Sequence, residues 1–187
     1  NSNHGELVNN PSWVDGKVGG ALEFDGVGDY VNVGNDILFT PSNSGFTASG
    51  WVKWNSFQIS TEKNQVRAPL LSKGPLASSP NEWEWFLHAS NGSSTNNPKF
   101  KFTTLTPGGA ILSDAVSDET PNFNQWYHLV GIVDSNGKAR LYVDGQLHAT
   151  GSNASFPTHN SQSFIIGCEF GSFVRWNTDG QIDDVRI

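Results

Sequence analysis

The sequence of 187 residues contains a single cysteine, Cys168, and no methionine. One cysteine cannot form an internal disulfide, so the fold must depend on its hydrophobic core. Cys168 ends an apolar run, and no histidine or electropositive neighbour in the sequence supports a catalytic thiol there. We therefore interpret Cys168 as a small buried hydrophobic residue.

Basic residues are scarce: 11 Lys and Arg stand against 18 Asp and Glu, which gives a formal net charge of −7. They form no cluster or stripe, and this argues against nucleic acid and anionic membranes as partners. No apolar run approaches the roughly 20 residues of a spanning helix, so we expect no membrane insertion. The chain starts at Asn1 without a signal peptide, and we interpret it as a domain excised from a larger secreted protein.

Helical periodicity is lacking, whereas short runs rich in β-branched and aromatic residues alternate with Gly, Asn and Pro. This pattern is typical of an antiparallel sandwich, and no linker divides it, which predicts one domain over residues 1–187. The predicted strands are Ala21–Phe24, Tyr30–Val33, Phe46–Trp54, Ala68–Ser72, Glu84–Ala89, Phe100–Thr104, Ala115–Ser117, Gln125–Val133, Ala139–Val143, Gln146–Thr150, Phe164–Cys168 and Gln181–Ile187. The longer predicted loops are Gln58–Arg67, Gly74–Glu82, Gly151–Ser163 and Glu169–Asp179.

The segment Gln125–Leu147 gives the clearest hairpin signal. Two β-rich runs flank Asn136-Gly137, and Asp144-Gly145 begins a second turn; both dipeptides tolerate the positive φ of tight turns. The first run is apolar on both faces, which predicts a central strand covered on both sides. Its apolar residues are Trp126, Val130 and Ile132 on one face and Leu129 and Val133 on the other.

The sequence of this hairpin, WYHLVGIVDSNGKARLYVDGQL, resembles the signature hairpin of laminin G-like domains with a concanavalin A-like fold. Other stretches fall in that family's order: GKVGGALEFDGVGDYVNVG, FTASGWVKWNS, LLSKG and FIIGCEFG…GQIDDVRI. The resemblance covers nearly the whole chain. It implies an all-β, two-sheet antiparallel jelly-roll sandwich, and a secreted module that binds carbohydrate and often a calcium ion.

A calcium site is also what the resemblance implies, with Asp25, Asp29, Asp183 and Asp184 as its ligands. If the first and last strands are neighbours, these carboxylates approach one another, and a hard cation with six to eight oxygen ligands relieves their repulsion. On strand alternation, Asp183 and Asp184 face opposite ways, so one of them alone suits the site. The alternative without metal is an Asx turn at Asp25 and a solvent-facing Asp184.

Carbohydrate recognition needs flat aromatic faces and planar polar groups beside them. The candidates are Trp83, Trp85 and Trp176, with Glu169, Arg175 and His88 as polar neighbours. The alternative for each tryptophan is packing in the core or at an edge. Trp51 and Trp126 stand in strong strand patterns, and the resemblance implies structural positions for both.

The nearest approach to a hydrolase of the same fold is the run Glu82-Trp83-Glu84-Trp85, where Glu82 and Glu84 share one strand face. Glucanases of this architecture carry a third acidic residue on the active strand, and Phe86-Leu87 follow here instead. We therefore expect no enzyme, and a glycoside hydrolase or lyase of the same fold is the least favoured alternative. The sequence predicts a carbohydrate-binding, lectin-like module with a structural calcium ion, extracellular and bacterial, whose partner is a glycan or polysaccharide. The alternative is an adhesion, interaction or spacer domain that meets a cell-surface or matrix protein.

Overall fold

The computed structural model describes residues 4–60, 65–74, 82, 84–91, 97–170 and 175–187. These residues form β-strands and one short 3-10 turn at Ile37–Phe39, and they include no helix long and apolar enough to cross a membrane. The strands in chain order are β1 (Glu6–Val8), β2 (Ser12–Asp15), β3 (Gly20–Asp25), β4 (Tyr30–Gly34), β5 (Phe46–Ser56), β6 (Gln58–Ser60), β7 (Gln65–Lys73), β8 (Trp85–Ser90), β9 (Lys99–Leu105), β10 (Ile111–Val116), β11 (Trp126–Val133), β12 (Ala139–Val143), β13 (Gln146–Thr150), β14 (Phe164–Ile166), β15 (Cys168–Phe170), β16 (Arg175–Asn177) and β17 (Asp179–Arg186).

Two antiparallel sheets form a sandwich. The first sheet has the order β1-β4-β14-β7-β8-β9-β10, with β6 beside β7. The second has the order β13-β12-β11-β5-β17-β3-β2. Strands β15 and β16 form a two-stranded sheet that packs against β7. The predicted all-β, two-sheet jelly-roll architecture is confirmed.

The core lies between the sheets and is filled by alternate residues of each strand, because successive side chains point to opposite faces. Val52 and Trp54 of β5 are fully buried on the inner face of the second sheet. Trp85 of β8 and Phe102 of β9 belong to the same core cluster and come from the first sheet. The centroids of the Trp85 and Phe102 rings are 6.3 Å apart. Cys168 is free and fully buried, as predicted.

The first and last predicted strands are neighbours, which is also confirmed. Strand β17 pairs with β3 on one side and with β5 on the other. Strand β11 lies between β5 and β12, so its central position is confirmed too. Its outward-facing residues are half-exposed, however, and the prediction that both its faces are covered is wrong. A two-layer sandwich covers only one face of each sheet.

Two predicted loops contain strands. The segment Gln58–Arg67 holds β6 and the start of β7, and Glu169–Asp179 holds most of the β15–β16 hairpin. The sequence pattern missed β6, β15 and β16 because each is three residues long, which is too short for alternation to show. Most of the predicted loop Gly74–Glu82 lies outside the described residues.

Candidate functional site

The predicted metal ligands Asp25 and Asp29 lie together at the turn after β3. Oδ1 of Asp25 accepts a hydrogen bond from the Val27 N–H at 2.6 Å, which is an Asx turn. Oδ2 of Asp29 accepts the Asp25 N–H at 3.3 Å, and Asp29 is only 5% exposed. Burial, and to a lesser degree the Asp25 charge, raises the pKa of Asp29 above its ordinary value. This turn therefore holds two carboxylates that repel each other.

The register of the last strand places a different carboxylate opposite Asp25. Asp179 of β17 pairs with Asp25 of β3. Asp183 lies four residues, about 13 Å, further along the strand. There Oδ2 of Asp183 accepts the Val18 N–H at 2.7 Å. The prediction that Asp183 converges with Asp25 and Asp29 is therefore wrong.

Asp184 leaves the predicted cluster for another reason. It has a positive φ of 46° within a β-bulge, and its carboxylate accepts both guanidinium donors of Arg186 at 2.9 and 3.0 Å. Across the described parts of the chain, no group of three or more His, Cys, Asp or Glu side chains is arranged to hold a metal ion. The predicted four-carboxylate set does not fit a calcium ion, and calcium binding at Asp25 and Asp29 stays a prediction.

Three predicted sugar-binding residues do come together, on the outward side of β7 and β8. Glu169 of β15 is fully buried; its Oε1 is paired with the Arg67 guanidinium, and its Oε2 lies 3.0 Å from Nδ1 of His88. The Arg67 guanidinium also lies 6.0 Å from the ring centroid of Trp176. Arg67, which the sequence placed in a loop, supplies the cation of this cluster.

The protonation states in this cluster follow from burial and charge. Burial lowers the pKa of His88, because the protonated imidazolium would lose its hydration, although Glu169 opposes that shift. Burial by itself raises the pKa of Glu169, but Arg67 and His88 outweigh it and hold that pKa below its ordinary value. The cluster therefore contains an ionised Glu169 beside a neutral His88.

This cluster fixes the β15–β16 hairpin to the sheet and offers little surface to a ligand. Trp176 is 3% exposed, while His88 and Glu169 are buried. Trp85 lies in the core and donates its Nε1–H to the Phe39 carbonyl at 2.8 Å. The prediction that these four side chains form an accessible sugar platform is wrong because packing covers them. Trp83 and the Arg175 side chain lie outside the described residues.

Glu84, a candidate carboxylate for glycoside hydrolysis, is not accessible either. Its side chain is fully buried and forms an ion pair with Lys73. The Asn160 N–H donates to the same carboxylate at 2.7 Å. A carboxylate engaged in this way is not free to protonate a leaving group.

An open groove on the outward face of the second sheet combines aromatic and polar side chains. Antiparallel register sets Trp51 of β5 opposite His128 of β11, and Lys53 opposite Trp126. All four side chains therefore point outward from one face. We call this cavity of about 470 Å³ the Trp51–Trp126 groove. Its lining residues are Lys17, Trp51, Trp126, His128, Asp144 and Gly145.

Two lysines lie over the indole rings of the groove. Nζ of Lys53 is 5.3 Å from the ring centroid of Trp126, and Nζ of Lys17 is 5.0 Å from that of Trp51. Both distances are within the range of cation–π attraction. The His128 ring lies against Trp51 with centroids 5.0 Å apart. The groove thus offers half-buried aromatic faces bordered by cationic groups.

The turn between β2 and β3 brings Lys17 to the groove. The Gly16 N–H donates to the Gly19 carbonyl at 2.8 Å, which closes the turn, and Asp183 accepts the Val18 N–H. A Cβ at Gly16 would lie 2.5 Å from Oδ2 of Asp183 and 2.9 Å from the Ala21 nitrogen, so only glycine fits there. Asp183 therefore positions this turn, the role it has in place of the predicted metal ligation.

The sequence contained a signal for this groove that the family resemblance obscured. The resemblance implies structural positions for Trp51 and Trp126, yet Lys53 and His128 each stand two residues away from one of these tryptophans. Residues two apart on a strand share a face, and a lysine is almost never fully buried unless paired. The parity of Lys53 with Trp51 thus indicated a solvent-facing tryptophan.

Comparison with known proteins agrees with the observed fold. A laminin G-type family model, described as the concanavalin A-like lectin/glucanases superfamily, matches residues 25–187. No curated protein sequence matches the chain. Among solved structures, domain 4 of AbnA, a GH43 extracellular arabinanase from Geobacillus stearothermophilus, in complex with arabinotriose, is 22% identical. It has a TM-score of 0.65, and the match covers 95% of this chain and 74% of that one.

Two further similar structures come from other kinds of protein. The receptor-binding domain of botulinum neurotoxin mosaic serotype C/D is 14% identical with a TM-score of 0.60, covering 98% of this chain and 43% of that one. The native heptameric SAP-like pentraxin from Limulus polyphemus is 14% identical with a TM-score of 0.52, covering 79% of this chain and 64% of that one. At these identities the likeness shows the fold alone.

Proposed function

Since this chain belongs to the concanavalin A-like lectin/glucanases superfamily, whose fold is shared by enzymes and binding domains, we propose that it is a non-catalytic carbohydrate-binding domain. The glycan lies in the Trp51–Trp126 groove. The observation that carries this proposal is the pair of outward-facing indoles in an open cavity of about 470 Å³, with polar side chains around them.

The groove has the chemistry that sugar rings require. The apolar face of a sugar packs on an indole, and hydroxyl groups exchange hydrogen bonds with polar side chains at the border. Lys17 and Lys53 supply donors, and the exposed Asp144 supplies an acceptor. Trp51 and Trp126 are diagonal neighbours on adjacent strands, about 7–8 Å apart, so one oligosaccharide contacts both indoles.

The lining of the groove supports a binding function over glycoside hydrolysis. Glycosidases of the usual kind need two carboxyl groups flanking the scissile bond. Asp144 is the one carboxylate among the residues that line the groove in the described part of the chain. Its Oδ1 accepts the backbone N–H of His128 at 2.8 Å, which fixes the position of Asp144 at the turn between β12 and β13.

A second polar cavity is less suited to sugar. It has a volume of about 490 Å³ beside Asp25, Asp29 and Asp179. The aromatic residue that lines it, Phe24, is fully buried, so the cavity presents carboxylates and amides without an aromatic face. A site of that kind attracts cations and water more than the apolar face of a sugar.

The similar structures are consistent with this proposal. The arabinanase domain was solved with arabinotriose, and its parent enzyme is extracellular by its own description. We extend both properties to this chain as part of the proposal: its ligand is an oligosaccharide, and it acts outside the cell. A receptor-binding role, like that of the toxin domain, is the alternative function.

A glycan array followed by isothermal titration calorimetry tests the proposal. We expect Trp51→Ala and Trp126→Ala each to weaken binding of the best array ligand at least about tenfold, because each removes a stacking surface. Trp13→Ala is the matched control, since Trp13 is 70% exposed and outside the groove. Thermal melts check that the variants remain folded.

Two results would overturn the proposal. One is a glycan-binding protein whose affinity is unchanged in both groove variants, which would move the site elsewhere. The other is the absence of any glycan ligand together with binding to an unglycosylated protein partner, which would favour the adhesion alternative.

A further inference from the structure

We propose that the Trp51–Trp126 groove selects acidic sugars, those that carry a carboxylate or a sulfate, over neutral ones. This inference rests on the proposed function and names its ligand class. It is based on one observation: in a protein of net charge −7, two lysines that form no ion pair among the described residues lie over the two indoles of the groove.

Most cationic side chains of the described structure already have a carboxylate partner. Within those residues, neither Lys17 nor Lys53 has a carboxylate oxygen within 4.0 Å of its Nζ. The paired cations are Arg67 with Glu169, Lys73 with Glu84, Lys101 with Asp114, Arg140 with Asp134 and Arg186 with Asp184. The two groove lysines therefore keep their ammonium donors free for an anion from outside the chain.

The indoles hold these ammonium groups in place before a ligand arrives. A lysine loses considerable side-chain entropy when it is fixed by a ligand. Cation–π contact at 5.0 and 5.3 Å already restricts Lys17 and Lys53, so less entropy remains to be lost on binding. A sugar that stacks on an indole brings its substituents to the level of the adjacent lysine.

The charge balance at the groove favours an anion. Lys17 lines the groove, and Lys53 lies at its border over Trp126. Asp144 is the one carboxylate among the described lining residues, so positive charge is in excess. Asp144 is held by the His128 N–H. A neutral sugar leaves both lysines without a counter-charge, whereas a uronate or a sulfated sugar forms a charge-assisted hydrogen bond with one or both.

Calorimetric titration with three probes tests this inference: trigalacturonic acid, a sulfated galactose oligosaccharide and neutral arabinotriose. We expect at least one acidic probe to bind about tenfold more tightly than arabinotriose, and the comparison of the two acidic probes shows which anion is preferred. Raising sodium chloride from about 50 mM to about 500 mM should weaken binding of the acidic probe alone.

Variants then assign the preference to the two lysines. The double variant Lys17→Gln, Lys53→Gln should lose the preference for the acidic probe. Its affinity for the neutral probe should fall much less, because the glutamine amides carry no charge but still donate hydrogen bonds to hydroxyl groups. Lys138→Gln is the matched control, because Lys138 lies in the turn between β11 and β12, and its Nζ has no carboxylate oxygen within 4.0 Å among the described residues.

The outcomes separate the two proposals. If all probes bind equally and the lysine variants change nothing, while Trp51→Ala and Trp126→Ala still weaken binding, the acidic preference is refuted and the groove stands. If none of the three probes binds, or if Trp51→Ala and Trp126→Ala bind the probes as tightly as the wild-type protein does, both proposals fail together.

Discussion

Nζ of Lys73 lies 3.2 Å from Oε1 of Glu84, and both side chains are fully buried. The ammonium also donates to the Gln162 carbonyl at 2.8 Å and to Oδ1 of Asn35 at 3.1 Å. Burial lowers the pKa of Lys73, although the Glu84 charge opposes that shift. Asn35 lies in the loop after β4, and Gln162 lies in the loop before β14. The Lys73–Glu84 pair therefore ties these two loops to the adjoining strands β7 and β8.

We expect Lys73→Met to destabilise the fold by about 3–5 kcal/mol, because it leaves Glu84 buried without its cation. The double variant Lys73→Met, Glu84→Leu should recover much of that loss, since no buried charge remains. Urea denaturation measures both free energies of unfolding. Lys101→Met, which removes a half-exposed ion pair with Asp114, should cost about 1 kcal/mol or less. A double variant no more stable than Lys73→Met would contradict this account.

Stability should fall on acidification because of His88 and Glu169. Burial keeps the pKa of His88 below its ordinary value of 6.5, so the unfolded chain takes up this proton first as the pH falls below 6.5. The pKa of Glu169 is also lowered in the folded state, so its contribution is present above about pH 4.3 and is lost as the pH falls through the lower folded value. Both effects have the same sign.

Denaturation at a series of pH values checks this expectation. His88→Asn should remove most of the decline between about pH 7 and about pH 5. His148→Asn on β13 is the control, and its decline should match that of the wild-type protein. Equal pH dependence in the His88 variant and the wild-type protein would show that another group is responsible.

Asp29 behaves in the opposite way. Burial and the Asp25 charge raise the pKa of Asp29 in the folded protein above its ordinary value of 3.8. The folded state therefore loses stability as the pH rises from 3.8 to the raised pKa of the folded protein. We expect Asp29→Asn to raise the melting temperature at neutral pH in excess chelator, since the buried charge and its repulsion are removed. Asp184→Asn, a half-exposed carboxylate, serves as the control.

Calcium provides a contrasting test at the same turn. If Asp25 and Asp29 bind calcium, adding the ion to chelator-treated protein raises the melting temperature, because binding stabilises the folded state alone. Asp29→Asn should then lose this response. A wild-type melting curve that is the same with and without calcium would refute the metal site and leave the repulsion between the two carboxylates.

Gly131 of β11 sets the spacing of the sheets at one point. A Cβ there would lie 2.6 and 2.7 Å from the ring atoms Cγ and Cε2 of Phe102 on the opposite sheet. We expect Gly131→Ala to cost about 1–3 kcal/mol by overpacking. Adding Phe102→Leu should recover part of this cost, which chemical denaturation of the single and double variants measures. A Gly131→Ala variant as stable as the wild-type protein would show that the core adjusts freely.

The sequence by itself determined the fold class, most of the longer strands and the turn at Asp144-Gly145. Alternation located the strand Ala139–Val143 to the residue, and Asp144-Gly145 forms the predicted turn with φ of 49° and 80°. At Asn136-Gly137 only the glycine has positive φ, at 82°, within a longer loop. These features depend on local backbone preferences, which act between neighbouring residues and can therefore be read from the chain.

Only the tertiary structure decided which carboxylates are neighbours and which tryptophans are exposed. Asp25 faces Asp179 because of the register of β3 and β17, and a different register would change every facing pair. Arg67 and Glu169 are 102 residues apart in sequence, so no local pattern predicts their ion pair. Trp51 is half-exposed and Trp85 buried, although both stand in apolar strands, because the second layer covers one face of each sheet.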